Sequence, residues 1–277
     1  PTMTAPLKRR DDAFKHVLAG GDAGADDAWQ MLITNPIGRA ITEAVDSDLV
    51  RGVMATDALI GTFASVDDHS LQQNICFLYH LLGNGTGEWD VPVGGMGAVS
   101  GALAAAATGY GAEITTNAEV YAIDPDGEVC YVLDGQEHRI GAEHILAGVT
   151  PAVLADLVGD TAPAVAPGAQ VKVNLLLRRL PRLRDETVTP EQAFGGTFHI
   201  NENYSQLEAA YTRAASGVIP DPLPCEIYCH SLSDPSILWD DLQASGAQTL
   251  TVFGLYAPHT LAAGADPDRL REDLTSA

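Results

Sequence analysis

The sequence predicts an α+β protein with α/β-like interleaving in its last third. Three observations predict it. Apolar residues recur at helical spacing before residue 84. Residues 112–149 switch to short alternating runs split by turn residues, and from 151 onward helical and alternating segments intermix.

The elements follow in order. DDAFKHVLAG (11–20) carries Phe14, Val17 and Leu18 on one face and stops at Gly20-Gly21. DDAWQMLITNP puts Trp29, Leu32 and Ile33 together and stops at Pro36. The run 36–61 carries Ile37, Ile41, Val45, Leu49, Val53 and Met54 close to a 3.6-residue period, which predicts amphipathic helix over several turns. QQNICFLYHLLG (72–83) is apolar nearly all round, which predicts a buried helix. Residues 84–97 are glycine-rich. AVSGALAAAATGYG then predicts a helix of small residues lying against a sheet.

AEITTNAEVYAI, EVCYVL and EHRI read as a β-meander turned by DPDG (124–127) and DG (134–135), pairs that supply left-handed positions. His144–Val149 reads as one further apolar strand. PAVLADLVGD is a short helix, and 162–168 is an Ala/Pro/Gly loop. VKVNLLLRRLP, CEIYCHSL and TLTVFGLYAP (249–258) alternate as strands, and ENYSQLEAAYTRAASG is a helix capped by Asn or Ser. The three strand runs 170–180, 225–232 and 249–257 are expected to share a sheet, with helix 203–216 nearby.

At 277 residues the chain is long enough for one large domain or two modest ones. Lys+Arg is 15 against Asp+Glu 37, a net charge of −22, which repels phosphate backbones and anionic lipid, so no nucleic-acid partner is expected. No run is apolar enough to span a membrane, and PTMTAPLKRRDDAF lacks the apolar stretch of a signal peptide, so the expected location is cytoplasmic. Cys76, Cys130, Cys225 and Cys229 are too scattered for a disulfide framework. Cys225 and Cys229 with His230 suggest metal at first sight, but residues four apart on a strand stand roughly 13 Å apart. Such thiolates cannot share one zinc ion, so no metal is expected.

The glycine cluster at Gly94–Gly97 departs from the dinucleotide fingerprint. Gly95-Met96-Gly97-Ala98-Val99-Ser100 lacks the third glycine, and the preceding DVPV is a poor central strand. A P-loop and a G-x-S-x-G elbow are absent from the sequence. Asp67-Asp68-His69 reads as an exposed loop. His199, His230 and His259 lie in or near strands and either face a substrate or serve as core and surface residues.

WDVPVGGMGAVSGALAAAATGYGAEITTNAEVYAI resembles a signature of the phytoene-dehydrogenase-like branch of the flavin amine oxidase superfamily. The flanking TNPIGRAITEAVDSDLVRGVMATDALIGTFAS, QVKVNLLLRRLP, IYCHSLSDPSI and TVFGLYAPHTL are similar in matching order, from about Trp29 to Leu261. The resemblance implies an FAD-dependent oxidoreductase that moves a hydride from a small, apolar substrate to flavin. It also implies that this chain is a middle segment, without the N-terminal Rossmann fingerprint and the C-terminal flavin segment. Its layout is then 1–87 as a helical part of the substrate domain, 88–150 as a partial FAD/NAD(P)-binding lobe with the β-meander, and 151–277 as the rest of the substrate domain, a mixed sheet with helices. Val120 matches a family valine whose backbone meets the adenine, and the strand end at Gly148–Thr150 lies near the cofactor, so Val120 and Thr150 are the expected cofactor contacts. Catalytic side chains are not assigned. FAD is expected in the parent protein and absent or weakly held in this chain alone. The 88–150 lobe is expected to expose apolar surface, through which the chain self-associates. Two other readings stand beside this one: a non-catalytic module for an apolar ligand or a protein partner, and an NAD-dependent enzyme using the glycine cluster.

Overall fold

The computed structural model describes residues 15, 24–82, 91–164, 168–261 and 266–276. Of the helix expected at 11–20 only the helical Lys15 lies among them; the glycine-rich 84–90 and part of the 162–168 loop lie outside the described residues. In chain order the elements are α1 (Ala25–Trp29, running into a π-turn at Gln30–Thr34), α2 (Ile37–Ala44), α3 (Asp48–Leu59), α4 (Gln72–Leu82), α5 (Gly95–Gly109), β1 (Glu119–Asp124), β2 (Glu128–Leu133), β3 (Gln136–Gly141) and α6 (Pro151–Val158). They continue with β4 (Gln170–Leu177), α7 (Pro190–Ala193), β5 (Phe198–Ile200), α8 (Tyr204–Ala215), β6 (Cys225–Tyr228), α9 (His230–Ser233), α10 (Asp240–Ala244), β7 (Gln248–Leu255) and α11 (Pro267–Ser276). The class is α+β. The chain divides into two compact units, residues 1–95 with 167–277, and residues 96–166.

The larger unit is a four-stranded sheet, order β4-β7-β6-β5, with helices on it. The three predicted strand segments do share this sheet. All its pairings are antiparallel, where a mixed sheet was expected. The β5–β6 and β6–β7 connections each return the chain antiparallel beside the preceding strand, and β4 pairs with the later β7 rather than with β5. The strand read at CEIYCHSL ends at Tyr228, and His230–Ser233 turns into a short helix. One core gathers Ile37, Ile41, Leu59, Phe77, Leu207 and Tyr256. A second, on Leu180, Phe194, Ile227, Cys229 and Leu250, belongs to the opposite sheet face. Asn74, 2% exposed, ties the helical layer together. It accepts from Ile37 N at 2.9 Å and donates to Leu32 O at 2.9 Å and Asn35 O at 2.7 Å.

Periodicity misled twice here. The stripe Ile37–Ile41–Val45–Leu49–Val53 is not one face, because the helix breaks at Val45–Ser47 and Ser47 caps a new one. Leu49 and Val53 are exposed, while α3 buries Gly52, Ala55, Thr56, Ala58 and Leu59 instead. Likewise α4 is not buried all round: Gln73, Asn74 and Phe77 face inward, and Ile75 and Tyr79 face solvent.

The smaller unit holds the antiparallel meander β1-β2-β3. At the second turn Asp134 (φ 51°) and Gly135 (φ 75°) both take positive φ, the two-residue geometry that follows strand twist. Thr150 caps α6 by accepting from Val153 N at 3.3 Å, Gly159 (φ 75°) closes it, and α6 packs on β1. Two expectations are corrected. His144–Val149 forms no strand, since no described strand pairs with it, and Leu146 stands 97% exposed. Helix α5 buries none of its residues. No helix among the described residues is long and apolar enough to cross a membrane.

Candidate functional site

Strand β5 is three residues long and lies at the sheet edge, with His199 directly opposite Glu226 on β6. The chain then reverses sharply. Asn201 takes a left-handed conformation (φ 56°), which asparagine tolerates better than most residues. Asn203 starts α8 through a reciprocal capping box with Gln206, whose Oε1 accepts from Asn203 N at 3.1 Å. This U-turn swings Glu202 back so that its Oε2 meets His199 Nδ1. Donor atoms of His199, Glu202 and Glu226 all lie within 4.8 Å of one another.

The cluster is dry. Glu202 is 4% and Glu226 2% exposed. Tyr228 donates its hydroxyl to Glu226 Oε2. Glu202 Oε1 is buried and has no hydrogen-bond partner among the described residues. Thr56 Oγ1 lies close by, but its single hydrogen is committed to Gly52 O at 2.9 Å. Above the turn, α3 comes so near that a Cβ on Gly52 would stand 1.8 Å from Glu202 O. Only glycine permits that approach.

Burial dominates the protonation of the carboxyls. It pushes the Glu202 carboxyl up to about 7, opposed by the His199 hydrogen bond and helped by the nearby Glu226 charge. Burial raises Glu226 as well, against its bond from Tyr228 and the charge of His199. It also raises Asp57 on α3, opposed by His80 and His199. His199 is raised by its bond to Glu202 more than burial lowers it. His80 on α4 reaches about 9, first through its contact with the Cys76 side chain. Perturbed groups of this kind concentrate where proteins bind ions or do chemistry.

The opposite face of the same strands is apolar. Phe198 pairs with Ile227, and Ile227 with Val252. Phe194, Phe198, Ile200, Ile227, Leu250 and the loop at 181–188 line a groove of about 720 Å³. Phe194 and Phe198 meet at 4.8 Å between ring centres. Arg182, Arg184 and Asp185 are the charged residues lining it.

Of the residues singled out in the sequence, His199 belongs to the cluster. His230 is exposed and stacks on Tyr228 at 6.0 Å, and His259 accepts from Gly168 N at 3.0 Å. Asp67 and His69 are exposed in their loop. The four cysteines are free thiols. Val120 lies on β1, 39% exposed and next to a register shift, and Thr150 is the cap of α6. Both belong to the smaller unit. Glu202, Glu226 and Asp57 were not singled out. The available signal was faint: a His-x-x-Glu step across an Asn-containing turn, and a Glu inside an otherwise apolar strand.

The chain is similar over its whole length, at 59% identity, to uncharacterized proteins of Mycobacterium tuberculosis and Mycobacterium bovis, of which it covers 52%. Over 89% of its length it is 29% identical to the rat protein named pyridine nucleotide-disulfide oxidoreductase domain-containing protein 2, covering 45% of that protein. The mouse protein of the same name aligns over 272 residues at the same identity. The chain thus spans about half the length of the curated relatives it matches. No family model and no solved structure matches it.

Proposed function

We propose that this chain supplies the substrate-binding unit, and part of the cofactor-binding unit, of a flavin-dependent oxidoreductase acting on an apolar substrate. The observation that carries the substrate half is the groove on β5–β6, whose floor is Phe194, Phe198, Ile227 and Leu250. At about 720 Å³ it matches the size and apolar lining of ligand sites. Phe198 and Ile227 would hold the hydrocarbon and exclude water, and Arg182 or Arg184 would orient a polar end. The oxidoreductase half rests on the name of the distant relatives.

For the flavin, β1 is an edge strand, so alternate backbone groups point away from β2 and Val120 is compatible with a backbone contact to adenine. The Thr150 hydroxyl accepts from Val153 N at 3.3 Å and keeps its own hydrogen to donate, so Thr150 could offer its hydroxyl as well as its backbone. A bound flavin would supply the hydride acceptor.

The test uses the full-length protein that carries this segment. Its visible spectrum should show bound flavin, and anaerobic addition of apolar alcohols or polyenes should bleach it. Phe198→Ser should raise KM for those substrates more than it lowers kcat. A colourless full-length protein sinks the flavin half. Unchanged kinetics in Phe198→Ser sink the assignment of the groove, and saturable apolar binding without flavin would instead favour a non-catalytic ligand module.

A further inference from the structure

The apolar groove leaves the acid–histidine cluster on the other sheet face without a task. A pair of buried carboxylates is costly to keep, because each loses its hydration and repels the other. Glu202 is nonetheless held in place by three separate devices: the left-handed Asn201, the Asn203–Gln206 capping box, and the close approach of Gly52 to Glu202 O. Tyr228 fixes Glu226 through Oε2, which orients the carboxylate in the way outer partners orient metal ligands. The buried Glu202 Oε1 completes the picture, as a strong acceptor without a donor.

We propose that His199, Glu202 and Glu226 form a binding site for one divalent transition-metal ion. One imidazole nitrogen and two carboxylates make a borderline-hard donor set, suited to zinc or manganese. Ligands about 2.1 Å from a common ion stand roughly 3.0–4.3 Å apart. The donors here lie within 4.8 Å, so small side-chain rotations suffice. A doubly charged cation cancels both carboxylate charges and gives Glu202 Oε1 its missing partner. It displaces the proton held between His199 Nδ1 and Glu202 Oε2, so uptake releases protons and weakens in acid. The His199 side chain is 24% exposed and offers the way in from solvent. Cys225 takes no part, since its thiol donates to Leu223 O at 3.5 Å. The inference is independent of the flavin reading.

The full chain, stripped with chelator and dialysed, is titrated with Zn²⁺ and with Mn²⁺ by calorimetry, and its melting is followed with and without each ion. One ion per chain and a chelator-reversible rise in Tm are expected. Glu202→Gln keeps the shape but loses the charge and should abolish that rise. His199→Ala and Glu226→Gln should weaken affinity at least about tenfold, the loss typical even of outer-shell changes. His69→Ala, at an exposed histidine, should leave it unchanged. A wild-type chain that takes up no ion overturns the proposal whatever the variants do. So does uptake that persists undiminished in His199→Ala and Glu226→Gln.

Discussion

Gly52→Ala is the sharpest perturbation of this fold. Gly52 sits inside α3, where alanine is intrinsically preferred to glycine by roughly 1 kcal/mol. The added Cβ would stand 1.8 Å from Glu202 O and 2.8 Å from the Glu202 and Asn203 carbonyl carbons. These are backbone atoms, fixed by β5 on one side and the capping box of α8 on the other, so no flexible side chain can swing away. Relief requires α3 and the turn to part by more than 1 Å, over-packing that costs typically 1–3 kcal/mol and occasionally more. Taking the upper end and subtracting the propensity gain leaves a net loss of about 2 kcal/mol. In a unit of this size that lowers Tm by roughly 4–8 °C. The control is Gly101→Ala in α5, where a Cβ meets nothing within 4 Å. There the propensity term acts alone and should stabilise by roughly 0.5–1 kcal/mol. Both variants are melted thermally and in urea beside wild type. If Gly52→Ala matches or exceeds wild-type stability while Gly101→Ala behaves as stated, the close approach of α3 to Glu202 is wrong, and with it the account of how the cluster is held.

Other perturbations should follow the same logic. Asn74→Ala orphans one buried N–H and two carbonyls and should cost on the order of 2–3 kcal/mol in urea melts, whereas the exposed Gln72→Ala should cost almost nothing. Phe194→Ala empties a 4%-exposed site against Phe198 and should cost about 3–5 kcal/mol, with a fall in binding of an apolar dye. Asp234 is held below the ordinary carboxylate range by bonds from the Ser236 side chain, Gly94 N and the Ser236 backbone. Its folded-state pKa is depressed, so its stabilisation is present above the unfolded value and lost as pH falls through the folded one. The Tm gap between wild type and Asp234→Asn should therefore narrow between pH 6 and pH 3; a gap that widens in acid refutes this.

The sequence by itself determined the element types where local chemistry is decisive. DPDG and Asp134-Gly135 turn the meander because they supply positive φ, Thr150 and Gly159 bracket α6, and alternation in VKVNLLL and TLTVFGL makes strands of one sheet. It could not say which apolar stripe is buried. Leu49 and Val53 satisfy helical periodicity as well as Ala55 and Leu59 do, and only the neighbours that α3 meets decide between them. His144–Val149 has the composition of a strand, yet strand formation needs a partner edge, which composition does not encode. The candidate site was least legible of all. His199, Glu202 and Glu226 span 28 positions of the sequence, and their types are ordinary surface residues one by one. What brings them together is an antiparallel register, a single left-handed asparagine and a glycine on another helix, and all three act across tertiary contacts.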